Sequence, residues 1–395
     1  MAKREDVINF GAGPAHLPTE VLEEVRDELL NWQGSGMSVM ELSHRSRYFD
    51  EIQHDTLQRA RQLLHIPDAY DTLLAQGGAS TQFAAIPLNL LSSPQAHADY
   101  LVTGGWSARA YSEAAALGCQ ARRVAVGKNE QGDLYTHVPA PSSWDLSPQA
   151  EYIYACDNET VFGVELPSDA FVEGVQAQWQ ARGDAGAPPP LVLDASSNFY
   201  SRPLDVSRYG VVYGGAQKNL GTAGVTLCIV DPQFSRAAPR YPHVPTMLQW
   251  KTLADNDSRY NTPPTFAIYI MGRCLHWLER AGGVEAIAAR NDAKSQMVYE
   301  ALDRSSLFVN AVEKPYRSRM NIPFHIALPE AQEGTRWDTA LEATFLKEAD
   351  AQGLLMLKGH RSAGGMRASL YNSISLEQAS RLVAFLESFE DAHSR

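Results

Sequence analysis

A lysine set among small residues follows a short apolar run in Val211-Val212-Tyr213-Gly214-Gly215-Ala216-Gln217-Lys218-Asn219-Leu220-Gly221. Twenty-four positions upstream of that lysine, the run Leu191-Val192-Leu193 ends in Asp194. A neutral lysine amine attacks aldehydes, and a carboxylate beside a pyridine nitrogen keeps that nitrogen protonated. The pair therefore suits pyridoxal phosphate (PLP). Lys218 would hold the aldehyde as a Schiff base, and Asp194 would make the ring an electron sink. Small neighbours let a flat ring lie close to backbone. A surface lysine in an ordinary strand–loop connection is the alternative for the same stretch.

Further polar groups cluster where apolar runs end. Gly77-Gly78-Ala79-Ser80-Thr81 follows one such run and opens a helical pattern. Free N–H groups and the helix dipole there suit a phosphate, while a tight turn that needs glycine only for packing is equally compatible. Thr103-Gly104-Gly105-Trp106 follows the next run, and its tryptophan either stacks on a cofactor ring or belongs to the core. Asp157-Asn158-Glu159-Thr160 follows a third. Two His-Arg pairs, His44-Arg45 and His360-Arg361, and Arg367 lie in segments rich in glycine or serine. Arginines in such loops are good bidentate clamps for a substrate that carries a carboxylate and a phosphate, although solvated surface charge is their commoner role. There is no GxGxxG, which weighs against a dinucleotide site and a nicotinamide dehydrogenase.

The elements that must position these groups alternate. Apolar strands are expected at 71–76, 99–102, 122–126, 151–155, 191–193, 211–213 and 226–230, with helices between them such as 50–65 and 108–116. Continuous rather than alternating apolar strands indicate a mainly parallel sheet covered on both faces, an α/β fold. In such sheets ligands bind at the C-terminal strand edge, and segments 77–82, 103–106, 157–160, 194–197 and 215–218 all fall there. Residues 239–264 hold five prolines and read as a long irregular segment, the kind that is usually functional or interfacial. A long helix, about 266–279, is expected to lead into an α+β unit with helices at 284–303, 338–351 and from Leu376, and short strands near 307–313, 321–327 and 354–357.

At 395 residues two domains are expected: a large one over 16–265, and a smaller α+β one formed by 1–15 with 266–395. The formal net charge of −12 argues against nucleic acid or an anionic membrane surface as partner. Four widely spaced cysteines without a CxxC give no metal or redox motif and read as buried reduced thiols. The residues after Met1 carry no apolar signal core, and a cytoplasmic location is expected.

From Asn9-Phe10 with Gly13-Pro14-Ala15 to Arg367-Ala368-Ser369-Leu370-Tyr371-Asn372, the chain resembles the phosphoserine aminotransferase family, class V aminotransferases of the PLP-dependent fold-type I group. Ser43-His44-Arg45-Ser46, Asp157-Asn158-Glu159-Thr160, Gly215-Ala216-Gln217-Lys218-Asn219, Tyr260-Asn261-Thr262-Pro263-Pro264 and the stretch from Gly359 to Arg367 carry the resemblance. It implies that Lys218 is the Schiff-base lysine, Asp194 the pyridinium partner, Trp106 the ring's stacking partner and Thr160 a ligand of its phenolic oxygen side. Ala79, Ser80 and Gln217 would line the phosphate site. Asn261 and Thr262 would reach the cofactor phosphate of a neighbouring subunit in a homodimer. Arg367 would hold the substrate α-carboxylate, with His360 and Arg361, and His44 and Arg45 from the partner, on the substrate phosphate. Some family members carry arginine where this chain has Ser80, so a substrate contact from that side chain does not carry over.

The implied reaction transfers an amino group between glutamate and 3-phosphohydroxypyruvate, giving O-phosphoserine and 2-oxoglutarate for serine biosynthesis. A second candidate substrate is 4-phosphohydroxythreonine of vitamin B6 synthesis. Another class V enzyme, such as a cysteine desulfurase, is the alternative within the fold; it needs a reactive cysteine on a mobile loop, and none of the four is obviously so placed. A PLP-binding protein without turnover is the alternative outside catalysis.

Overall fold

The computed structural model describes residues 3–167, 169–183, 186–332 and 335–393. Its centre is a seven-stranded sheet whose strands we number in chain order: β1 (Asp71–Ala75), β2 (His97–Val102), β3 (Gln120–Val126), β4 (Ala150–Cys156), β5 (Leu191–Asp194), β6 (Val211–Gly215) and β7 (Thr226–Val230). The spatial order is β1-β7-β6-β5-β4-β2-β3. All neighbours run parallel except β7, which is antiparallel to both β1 and β6.

The apolar runs are continuous because both faces are covered. Leu191 and Leu193 of β5 and Val212 of β6 enter one core cluster; Val192, Val211 and Tyr213 enter a second on the opposite face. Alternate residues of one strand thus serve two cores, the pattern of a sheet between helical layers. On the first face the helix Arg47–Leu63 packs against Thr265–Arg280, and its Phe49, Ile52, Thr56 and Ala60 recur at helical spacing on the buried side. Ser46 caps it by accepting from the Phe49 N–H at 3.3 Å.

A third core cluster gathers Ile8 and Phe10 with the C-terminal elements. There the strands Phe308–Val309, Asn321–Gln332, Thr335–Trp337 and Met366–Ser369 form an antiparallel sheet, backed by the helices Gly283–Arg304, Thr339–Ala351 and Leu376–His393. The N-terminal strand Ile8–Asn9 pairs in parallel with Leu354–Leu355.

Four details differ from the sequence reading. The helix expected from 108 begins at Gly105, so Trp106 lies in its first turn. The segment 239–264 contains a short helix, Trp250–Asp255, anchored by a buried Trp250. Asn158–Glu159 forms a small hairpin with Val164–Glu165. Arg367 stands on a strand, Met366–Ser369, opposite Pro323, and not in the glycine-rich loop before it. Two inward residues, Met366 and Ala368, are too short a pattern to mark a strand without its partner.

Candidate active site

Because β1, β2, β4, β5 and β6 share one direction, the segments that follow them emerge at one edge of the sheet. They enclose a cavity of about 370 Å³ together with the N-terminal arm and the loop around His360. Ala79, Ser80, Trp106, Thr160, Asp194, Gln217, Lys218, His360 and Arg367 line it. His44, Arg45, Asn261, Thr262 and Arg361 are not among the lining residues.

Lys218 lies in the excursion between β6 and β7, an antiparallel pair whose ends are tied by the Ala216 N–H to the Val225 carbonyl at 3.0 Å. Its Nζ donates to Thr160 Oγ1 at 2.7 Å and lies 5.2 Å from the centroid of the Trp106 ring. Burial lowers the lysine's pKa, while the charge of Asp194 opposes that shift. A desolvated lysine spends more of its time as the neutral amine, the nucleophilic form.

Asp194 closes β5 and is buried. Its Oδ1 accepts from the Ser196 N–H at 2.9 Å, and its Oδ2 accepts from the Tyr213 hydroxyl at 3.1 Å. The Tyr154 hydroxyl stands 2.9 Å from that of Tyr213 and completes the fixed polar row. The carboxylate is therefore oriented before any ligand arrives.

Trp106 is positioned from a distance. Glu159, buried beside the helix Gly105–Ala116, accepts from the backbone N–H groups of Trp106 at 2.9 Å and Ser107 at 2.8 Å, and from the Ser107 hydroxyl. A Cβ at Gly104 would collide with the Glu159 side chain, so glycine is what lets the carboxylate reach the helix end. Desolvation raises the Glu159 pKa, and the three hydrogen bonds work against that. At the other wall Gly77 takes a left-handed φ of 90° before the helix Gly78–Leu90, and a Cβ there would strike Thr81. That turn leaves the first N–H groups of the helix facing the cavity beside Ala79 and Ser80.

Arg367 donates through Nη1 to the Thr160 carbonyl at 3.2 Å, whereas its Nε is buried without a partner among the described residues. The Trp106 Nε1 is likewise buried and unpaired. Orphaned donors, a helix N-terminus, an aromatic wall, a desolvated lysine and a fixed carboxylate together fit a flat, phosphate-bearing pyridine aldehyde. Cys156 also lines the cavity, but burial pushes its thiol pKa well up, so it is not poised as a thiolate. All four cysteines are buried and unpaired.

Sequence reasoning placed Asn158 and Ser196 in segments at the ligand edge without giving them a role, and missed Ala12 and Gly13 as lining residues. Asn158 donates to Ser197 Oγ at 2.7 Å and Asn321 Oδ1 at 2.8 Å, a cross-link between the sheet edge and the C-terminal strands. The arm is docked by the Ala15 N–H to the Gln217 carbonyl at 2.9 Å, and its Gly13-Pro14 turn was the available signal.

The site and fold define a class. The family model for aminotransferase class-V matches residues 7–382, and the chain belongs to that family. Within it, a phosphoserine aminotransferase of Nitrosomonas europaea is 46% identical over 392 residues, covering 98% of this chain and 99% of that protein. One from Burkholderia lata is 46% identical over 97% of this chain and 98% of its own. Among solved structures, the phosphoserine aminotransferase from Bacillus circulans subsp. alkalophilus superposes with a TM-score of 0.88 at 38% identity, covering 99% of this chain and 100% of that one. A PLP-bound phosphoserine aminotransferase from Trichomonas vaginalis gives 0.86 at 38% identity over 96% of this chain and 99% of that one. Among the described residues no helix is long and apolar enough to cross a membrane.

Proposed function

We propose that the chain is a PLP-dependent phosphoserine aminotransferase, exchanging the amino group of glutamate with 3-phosphohydroxypyruvate to give 2-oxoglutarate and O-phosphoserine. The observation that carries this is the Lys218 amine, held 2.7 Å from Thr160 in a cavity shared with Asp194 and Arg367. Similarity to phosphoserine aminotransferases over 98% of the chain supports the substrate.

PLP, when bound, supplies the electron sink that takes up the electron pair left by a breaking Cα–H bond. Lys218 does two jobs with one atom. Its Nζ would hold the aldehyde when the cofactor is bound and, as a free amine, would accept the Cα proton and later return one. Burial favours the neutral amine that both jobs need. Asp194, pinned by Ser196 and Tyr213, keeps a pyridine nitrogen protonated. Trp106 would cover the ring face, Thr160 would offer its hydroxyl to the ring oxygen, and Ala79, Ser80 and Gln217 would hold the phosphate. Arg367 receives the α-carboxylate, and its unpaired Nε is available for that contact. His360, which lines the same cavity, would meet a distal phosphate or γ-carboxylate, with Arg361 beside it in sequence.

We assign His44, Arg45, Asn261 and Thr262 to the partner's site in a homodimer. None of them lines its own chain's cavity, and their two segments meet where Arg259 donates to the His44 carbonyl at 3.3 Å. Met40 and Tyr260, 58% and 50% exposed, flank these segments and offer apolar surface for a second copy to cover. We divide the chain into a large domain over 16–265 and a small one over 1–15 with 266–395; the third core cluster, of Ile8, Phe10 and residues from Val298 onward, supports the small one, while the helix Thr265–Arg280 packs into the first cluster. Four unpaired cysteines fit a reducing compartment, and we place the protein in the cytoplasm.

The test is the pair of half-reactions on PLP-loaded protein. O-phosphoserine should change its visible absorption, 2-oxoglutarate should restore it, and L-serine should act far more slowly. Equal rates with L-serine, or release of sulfur from cysteine, would overturn the assignment.

A further inference from the structure

Arg109 lies one turn beyond Trp106 on the helix Gly105–Ala116, and its Cζ stands 5.0 Å from the Trp106 ring centroid. The same indole carries the Lys218 Nζ at 5.2 Å. One ring therefore braces both the buried amine at the cavity floor and an exposed guanidinium. Arg273, Arg317 and Arg336 also stack on rings and are each paired with a carboxylate, of Glu28, Asp303 and Asp133 respectively, whereas Arg47, Arg123 and Arg182 stack on rings that do not line the cavity. Arg109 has no carboxylate partner among the described residues.

Its charged company is positive. Burial first, then the charges of Arg367, Arg109 and Arg361, lower the pKa of His360, a cavity-lining residue. The cavity lining sets Lys218, His360 and Arg367 against the Asp194 carboxylate, and Arg109, on the far end of the Trp106 contact and not itself in that lining, adds to the positive side. Such an excess raises the local concentration of an anionic ligand and is relieved when it binds. A guanidinium stacked on an indole is also held flat and partly immobilised, so it loses less freedom on meeting a tetrahedral oxyanion.

We propose that Arg109 is a specificity-determining residue which, braced on Trp106, binds the distal phosphate of the substrate alongside His360. This rests on the phosphoserine reading of the same cavity. The γ-carboxylate of glutamate takes the same place with a single charge and gains less from the contact.

The experiment compares PLP-loaded wild type with Arg109→Ala, Arg109→Gln and Arg109→Lys in half-reactions with O-phosphoserine, L-glutamate and L-alanine. Inorganic phosphate is titrated into each by calorimetry. The Ala and Gln variants should lose roughly tenfold in kcat/KM for O-phosphoserine, the size of one partly exposed charge-assisted contact. L-glutamate should lose less, L-alanine should be unchanged, and Arg109→Lys should recover part of the loss. Phosphate should bind the Gln variant more weakly by a similar factor. Should the Ala variant not fold, Gln keeps a planar head against the indole and carries the comparison. An equal fall for all three amino acids would mean that Arg109 only supports Trp106, and an unchanged O-phosphoserine rate would remove it from recognition; either overturns the proposal. A wild type that does not prefer O-phosphoserine to L-serine sinks the function reading instead, and phosphate affinity unaltered by Arg109→Gln then overturns the role of Arg109 separately.

Discussion

The Glu159 carboxylate accepts the backbone N–H of Trp106 at 2.9 Å, and the next residue, Thr160, accepts from Lys218 at 2.7 Å. Two consecutive residues after β4 thus set the aromatic wall and the reactive amine relative to each other. The geometry depends on a carboxylate that does not itself line the cavity.

Replacing Glu159 by Gln keeps the volume but puts an amide where two backbone N–H groups and a hydroxyl need acceptors. We expect a loss of about 2–3 kcal/mol in stability, the scale of hydrogen bonds to a charged group. Weaker PLP retention should accompany it, because the helix start that carries Trp106 loosens. Urea denaturation and a PLP titration followed by tryptophan fluorescence check this. Unchanged values in both would show that the cap is dispensable.

Asp194→Asn should still retain PLP yet lower the rate of Cα proton removal by several orders of magnitude, since a neutral amide does not favour a protonated pyridine. Tyr213 and Ser196 remain to hold the side chain, so the fold should survive. Single-turnover measurement with α-deuterated glutamate reads that step directly. A wild-type rate would place the pyridine partner elsewhere.

Lys294 is buried and donates to the Leu370 and Tyr371 carbonyls at 3.1 and 2.9 Å. Burial, then Arg290, lowers its pKa to about 7. A neutral amine has two N–H groups, matching the two acceptors. Between that value and the ordinary lysine value of about 10.4, the unfolded chain binds more protons than the folded one. Stability should therefore rise with pH through that window, by a few kcal/mol in total, and the contribution should be absent at and below neutrality. In Lys294→Met that rise should flatten. Urea midpoints at pH 6.5 and pH 9 decide it, and the same slope in both proteins would contradict the buried neutral lysine.

Much of this was legible in the sequence for a physical reason. A strand buried on both faces must be apolar throughout, so β5 and β6 announce themselves, and the polar residue that ends each, or soon follows, falls at the ligand edge. Asp194 and Lys218 were found that way. Hydrophobicity carries no direction, however, and the antiparallel course of β7 was invisible. So was the early start of the Trp106 helix, because its cap comes from Glu159, 53 residues away. Arg367 read as loop because Met366–Ser369 is recognisable only opposite Asn321–Phe324. Arg109 lies in no motif, and its contact with Trp106 follows only from where the helix begins.

If His44 and Arg45 serve the partner's substrate, mixing Arg45→Ala with Lys218→Ala subunits restores activity. The mixed dimer then has one site with both lesions and one with neither. Exchange between two nearly inactive homodimers should recover activity toward half that of wild type per heterodimer. No recovery, with heterodimers demonstrated by native mass spectrometry, would mean that Arg45 acts in its own subunit.

The central claim is that Lys218 is the covalent anchor of PLP. Borohydride reduction of the loaded protein, followed by proteolysis and mass spectrometry, tests it without relying on turnover. The yellow colour should bleach, and the reduced pyridoxyl phosphate mass should be found on the peptide containing Lys218 and be lost in Lys218→Ala. A pyridoxyl mass on a different lysine, or none on any, would contradict it.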